Sequence, residues 1–459
     1  MKIALITPPL GIKNQVNRPI GISYIKAILK QNGYDAKVYD FSTTDKLTAL
    51  SILQKEKCDV VGITVFSDTR QESLRFAELL KKTDCKIVLG GHHPTFLYDQ
   101  IMKNYKFVDF IVMGEGEITF LELIKTLSSE KNKFETIHGL VFRRNGEYFV
   151  NAPRNPIENI DTIPFPDYSD LDPSMYKILS SLRYKKNYGI ITSRSCSYSC
   201  DYCAHRWFSG AWRARSIENT IREIENVYLG GITHIWIIDD SFTEDPARAI
   251  GIFEEIIKRN MKVSLAMNSR VNACNEDVLK VFKKAGGYRV DFGIESGSDK
   301  ILESMNKRVN FDKAYKIRDI CSRLGITVKW NFILGYPGET TETFVQTKNV
   351  IKKLKPDMLS VSILRVFPGT PLYNRLIKEK KVNESFWLGT NSGLHYFGDG
   401  SYEEVMRKYL RLMLIWAVQF RVRSFLCLIN FVYGFASANP RTIVYHFLNT
   451  VRSVVIGRG

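Results

Sequence analysis

Apolar and polar positions recur along this chain in a fixed order: a short run of branched apolar residues, a polar turn, then a longer stretch with apolar positions three and four apart. KIALITPP (Lys2 to Pro9) is the first apolar run, and GISYIKAILKQNG follows as a helix closed by Gly33. AKVYDF and VVGITVFS read as strands, the latter leading into the helical ESLRFAELLKK. KIVLGG and FIVMGEGE are further short apolar runs that end in glycine. Strand and helix in this alternation predict a doubly wound parallel sheet, whose ligand lies beyond the carboxyl ends of the strands.

Proline, asparagine and aspartate then crowd NAPRNPIENIDTIPFPDYSDLDPS, from Asn151 to Ser174, which is a linker composition. Beyond it YGIITS, HIWIID, KVSLAM, RVDFGIES, TVKWNFILG and MLSVSILRV are strand candidates separated by helical stretches. Six βα units in a row predict a parallel barrel, closed or partial, with its chemistry on the loops after the strands. The fold class expected is α/β: a Rossmann-like domain over 1–135, a linker over 136–180, a partial (β/α)6 barrel over 181–385 and a helical, basic and apolar region over 386–459.

With 459 residues, 44% of them hydrophobic and 25% charged, the chain should fold into two or three domains rather than remain disordered. The start MKIALITPPLG has too short an apolar stretch and no cleavage pattern for secretion, so a cytoplasmic protein is expected. Eight cysteines are too few for a disulfide scaffold. The net charge of +17 asks for an anionic partner: nucleic acid, an anionic membrane or a phosphorylated small molecule. Part of that charge lies late in the chain, where Arg411, Arg421 and Arg423 interrupt KYLRLMLIWAVQFRVRSFLCLINFVYGF. No uncharged stretch there is long enough to span a bilayer. A helix lying in the membrane interface and a helical cap over the barrel mouth both fit this composition.

The chemistry concentrates in SCSYSCDYCAHRW, directly after the first barrel strand. Cys196, Cys200 and Cys203 have the spacing C-x3-C-x2-C. With His205 they could close a Cys3His zinc site; without it they could hold three irons of a [4Fe–4S] cluster and leave the fourth iron open. Zinc knuckles normally bring a second paired ligand motif, and the sequence has none.

The CSYSCDYC loop resembles that of the radical S-adenosylmethionine (SAM) superfamily, and later strand ends carry IIDDSFTED, MNSR, GIESGS and FILGYPGET in the order of that family's SAM-cradling segments. The resemblance implies that the cluster's open iron chelates SAM and that an electron from the cluster cleaves SAM to a 5′-deoxyadenosyl radical. It implies places for Tyr202 near the adenine, Asp239 and Asp240 on the ammonium side, and Glu295 with Ser296 at the ribose or nearby polar end. Gly335 to Pro337 would approach the adenine, and Arg270 would pair with the SAM carboxylate. Each segment taken alone also fits an ordinary helix cap or turn.

PPLGIKNQVNRPIGISYIKAIL, VLGGHHPT and VMGEGEITFLELI resemble the cobalamin-binding domain that precedes the barrel in one large subclass of that family, which includes methyltransferases and the anaerobic magnesium-protoporphyrin ester cyclase. Gly90, Gly91, Gly114 and Gly116 then fall where a corrin approaches the sheet edge closely. The chain departs from the D-x-H-x-x-G pattern of cobalamin modules, because the loop from Pro9 to Gly21 contains no histidine. Cobalt is expected to lack a histidine below it. His92 and His93 follow a different strand, where each could touch the tail or a propionamide or stand as a satisfied surface residue. The resemblance implies a C-methyltransferase that uses one SAM to methylate cobalamin and a second as radical source. A ring-forming enzyme of the same subclass, a tRNA methylthiotransferase and a cobalamin sensor with a zinc loop are the alternatives. The methylthiotransferase should bring a second cysteine trio, which Cys58 and Cys85 do not form, so nucleic acid is not the expected partner. The expected partners are a small, apolar or lipid-like substrate, a flavodoxin or ferredoxin as electron donor, and peripheral contact with the inner membrane face.

Overall fold

The computed structural model describes residues 1–11, 18–129, 133–180, 183–389, 396, 398 and 400–419. The central part of the first βα loop and the chain after residue 419, including Arg421 and Arg423, lie outside the described residues.

The first sheet is built from β1 (Ile3–Thr7), β2 (Ala36–Asp40), β3 (Val60–Thr64), β4 (Lys86–Gly90), β5 (Phe110–Val112), β6 (Leu140–Arg144) and β7 (Glu147–Val150), in the order β2-β1-β3-β4-β5-β6-β7. β1 to β5 are parallel, with Ile3 opposite both Ala36 and Val60. Helices cover both faces and produce two cores, one around Leu5, Val88 and Phe120 and the other around Ile63, Phe76 and Leu89. Each such side chain taken from water contributes about 1.5–3 kcal/mol.

Residues 136–180 are more than a linker. β6 and β7 run antiparallel to β5 and to each other, extending the first sheet. The turn between them is Asn145–Gly146, with φ of 52° and 84°, an Asn-Gly hairpin signal inside HGLVFRRNGEYFV. The helix Lys46–Glu56 is a second element absent from the sequence reading. It buries only Ala49 and Leu53 and leaves Leu47 exposed, so its apolar stripe is faint; Asp45 caps it by accepting from the backbone of Leu47 and Thr48.

The second sheet comprises β8 (Lys177–Ser180) and β9 (Arg183–Ile190), then, after the two-residue pair β10 (Ser193–Arg194) and β11 (Arg213–Ala214), the strands β12 (His234–Ile237), β13 (Ser264–Ser269), β14 (Gly287–Glu295), β15 (Thr327–Leu334) and β16 (Met358–Ile363). Their order is β16-β15-β14-β13-β12-β9-β8. β9 and the five strands from β12 to β16 are parallel, and β8 pairs antiparallel with β9 at the edge. This is the partial barrel that the six apolar runs predict, with its core around Ile237, Phe253, Phe292 and Trp330.

The helix Tyr402–Gln419 joins that core through Val405, Tyr409, Leu412 and Trp416. Trp416 Nε1 donates to Pro356 O at 3.1 Å, and Lys408 reaches Glu339 at 3.0 Å. Its apolar face is thus covered by protein. Among the described residues no helix is long and apolar enough to cross a membrane.

Candidate active site between the two sheets

The cysteine loop begins where β9 ends, and it is held there by a residue from the next strand's end. Asp239, buried just beyond β12, accepts from Thr192 N, Thr192 Oγ1 and Ser193 Oγ, each at 2.6 Å. Burial pushes its carboxyl upward against these bonds. Ser195 then takes φ of +68° and donates its hydroxyl to Gly210 O at 2.6 Å, turning the chain sharply into Cys196. On the far side the loop docks through Asp201 N to Met305 O at 3.0 Å and through Asn306 Nδ2 to Ser199 O at 2.9 Å. The Tyr336 hydroxyl donates to Asp201 Oδ2 at 2.6 Å.

Arg270, after β13, lays its guanidinium 3.7 Å from the centre of the Tyr198 ring and places Nη1 3.3 Å from Cys200 Sγ. Its Nη2 is buried with no partner. A cationic donor beside a buried thiol, with a second donor still unsatisfied, suits an anionic group at this place. Burial pushes the Cys196 thiol up to about 12 and the Cys203 thiol up to about 11, so a metal's positive charge is what would remove those protons. His205 directs Nδ1 to Asp240 at 2.9 Å and not toward the thiols. The donor set fits a cluster whose irons each take one thiolate better than a Cys3His zinc.

The remaining sites expected for SAM have partners within the protein. Glu295, the last residue of β14, has φ of +71° and bonds Lys307 Nζ at 2.9 Å with both groups buried. Ser296 lies 3.3 Å from Thr347 Oγ1, which also accepts from Gly297 N at 2.9 Å. Gly335 and Gly338 take φ of +81° and +85° on either side of Pro337, and Gly335 N donates to Glu339. Tyr202 packs against the apolar cluster that includes Met305, Tyr336 and Leu372, and burial followed by the charge of Glu295 pushes its phenol well above the usual range.

A cavity of about 440 Å³ separates this loop from the first sheet. Gly90, Gly91, Gly114 and Gly116 lie on one wall; Ser193, Ser195, His205, Asp239 and Asp240 lie on the other. A Cβ at Gly114 would meet no atom within 4 Å, and one at Gly90 only Val112 O at 3.8 Å. Both positions therefore present bare backbone to the space, the close approach that a corrin needs. Gly91, at φ of +104°, is fixed for a different reason, since its Cβ would come within 2.9 Å of Val65 O.

Several wall residues escaped the sequence reading, among them Tyr24, Phe208, Glu115 and Glu117. The two glutamates stand inside VMGEGEITF, which draws attention through its glycines. His92 stacks on Phe208 at 4.0 Å and keeps Nε2 buried without a partner, so it is not a satisfied surface residue; burial first, then His205, lowers its pKa to about 4. His93 points away from the cavity, lying against Ser67 Oγ at 3.1 Å and the Trp387 ring.

The two folds and the cavity between them define a two-domain α/β enzyme architecture, and comparison with known proteins places it. Residues 190–351 match the radical SAM superfamily model and residues 14–124 the B12 binding domain model. An uncharacterized methyltransferase of Pyrococcus horikoshii is 33% identical over 84% of this chain and 85% of its own length. The anaerobic magnesium-protoporphyrin IX monomethyl ester cyclase of Rubrivivax gelatinosus is 27% identical over 78% of this chain and 66% of its own. Among solved structures, the cobalamin-dependent SAM radical enzyme OxsB with aqua-cobalamin and SAM bound superposes with a TM-score of 0.74 at 20% identity, over 99% of this chain and 71% of that one. The chain belongs to the cobalamin-dependent radical SAM methyltransferase family. It is an enzyme of that family, whose cofactors are a [4Fe–4S] cluster, SAM and cobalamin.

Proposed function

We propose that this enzyme methylates an unactivated carbon of a small, largely apolar molecule in the cavity between the two sheets. The observation that carries the reading is that Ser195 and His205, which flank the three cysteines on either side, and the glycine edge of the first sheet wall one space. When bound, the cluster with SAM supplies a 5′-deoxyadenosyl radical and cobalamin supplies a methyl group.

In this reading the three cysteines are the cluster ligands, and Arg270 sets a positive charge at Cys200 while offering its free Nη2 to the SAM carboxylate. Asp239 acts through Thr192 and Ser193 by fixing the start of the loop, whereas Asp240 with His205 faces the cavity. Glu295 and Ser296 end a strand whose turn is locked by Lys307 and Thr347, and Tyr202 with Gly335 and Pro337 borders the adenine. Gly90, Gly91, Gly114 and Gly116 form the corrin edge. A low-potential flavodoxin or ferredoxin supplies the electron in the cytoplasm. Peripheral contact with the inner membrane face and a lipid-like substrate would fall to the basic, apolar region from Tyr402 onward, most of which lies outside the described residues.

The test is product stoichiometry in the reduced enzyme loaded with cluster and cobalamin. Methyl transfer yields S-adenosylhomocysteine and 5′-deoxyadenosine in equal amounts, both dependent on substrate. Ring formation, the activity in the cyclase's name, would yield 5′-deoxyadenosine without substrate-dependent S-adenosylhomocysteine.

A further inference from the structure

The wall shared by the two domains carries a buried ion network that neither cofactor accounts for. Arg194, the residue before the cysteine loop, forks between two carboxylates of the first domain: Nη1 lies 3.2 Å from Glu115 Oε1 and Nη2 lies 2.5 Å from Glu117 Oε1. Arg213, from β11, holds Glu115 by two further bonds, Nη2 to Oε1 at 2.8 Å and Nη1 to Oε2 at 3.1 Å. Ile157 N completes Glu115 at 2.8 Å. The side chains of Glu115 and Glu117 are 7% exposed and that of Arg194 is 11% exposed. Two arginines against two glutamates leave the network neutral, which is the condition for keeping such charges out of water.

Its placement matters more than its strength. Glu115 and Glu117 flank Gly116 at the start of the helix Gly116–Leu127, directly after the β5 edge that carries Gly114. Arg194 is joined through Ser195 to Cys196, and its guanidinium lies 5.5 Å from the centre of the Tyr24 ring, another cavity wall. A single arginine therefore ties the backbone at the corrin edge to the backbone that starts the cysteine loop. An arginine fork fixes both distance and plane, as a lysine point charge would not.

We propose that Glu115 and Glu117 are positioning residues that couple the two cofactor sites: a cobalamin seated on the Gly114 edge orders the cysteine loop through Arg194. The proposal rests on reading this cavity as the cobalamin site.

The test uses the full chain without substrate, with hydroxocobalamin as the probe and hydrogen exchange of the amides from Thr192 to Cys196 as the readout. In the wild type, hydroxocobalamin should slow their exchange at least about tenfold. Glu115→Gln with Glu117→Gln, compared with the wild type at hydroxocobalamin concentrations that saturate each protein by its cobalamin absorbance, should lose that protection. Arg194→Lys keeps the charge without the fork and should lose it as well, which decides the matter should the glutamine variant fail to fold. Equal protection in the variants and the wild type would overturn the proposal. Hydroxocobalamin passing unbound through the wild type would overturn the cavity reading together with it, and is distinguished by the missing cobalamin absorbance. In the loaded enzyme, the variants should release several-fold more 5′-deoxyadenosine per methylated product. A defect that only lowered stability would leave that ratio unchanged.

Discussion

The carboxylate of Asp239 takes both the backbone N–H and the hydroxyl of Thr192, each at 2.6 Å, from a strand neighbouring the one that Thr192 follows. The residue that the resemblance places in the SAM cradle thus also sets where the cysteine loop leaves the sheet. Replacing Asp239 by Ala strands three donors in a buried place, at roughly 1 kcal/mol or more each. A denaturant melt of Asp239→Ala should show a loss of about 3 kcal/mol, together with poor iron incorporation. An unchanged midpoint would mean that Thr192 and Ser193 do not need it.

Cys196, Cys200 and Cys203 should prove jointly essential. Alanine at any one should abolish SAM cleavage and the broad visible absorbance of the reconstituted, anaerobic protein. His205→Ala should retain both, because its imidazole is directed to Asp240. Metal loss in the His205 variant alone would restore the zinc reading.

The cobalt ligand is a separate matter. No histidine stands in the first βα loop, so cob(II)alamin on the protein should show no nitrogen superhyperfine coupling from below in its EPR spectrum. Coupling that disappeared in His92→Ala would instead put that unpartnered imidazole on the cobalt.

What the sequence disclosed follows from what kind of signal each feature leaves. Parallel strands buried by helices leave continuous apolar runs, and all eleven runs read as strands are strands here. The helix Lys46–Glu56 hides because two buried residues make no stripe. Positive φ at Glu295 and the Ser296 to Thr347 contact depend on residues far along the chain, so GIESGS marks a place but not its partners. Glu115 and Glu117 were in view within a glycine-rich segment, yet their role exists only once Arg194 is brought beside them from the other domain.

The docking of the first domain onto the segment Glu384–Leu388 should weaken in acid. Burial first, and Arg70 second, lower the His93 pKa to about 3 from the ordinary 6.5. Between these values the unfolded chain binds a proton that the folded chain does not, so this contribution is intact above pH 6.5 and is lost as the pH falls toward 3. By pH 4 the loss should reach about 3 kcal/mol, at 1.36 kcal/mol per unit. Comparing melts of wild type and His93→Gln from pH 7 to pH 4 checks it: the difference between them should shrink as the pH falls, and a constant difference would contradict it.

The most direct measurement is the fate of SAM's methyl group. The reduced enzyme, with cluster and cobalamin in place, is given SAM carrying a trideuterated methyl and an anaerobic extract of small molecules, and the products are followed by mass spectrometry. The account predicts a product carrying all three deuterons, formed alongside equal S-adenosylhomocysteine and 5′-deoxyadenosine. An altered product without the label, formed with 5′-deoxyadenosine alone, would contradict methyl transfer.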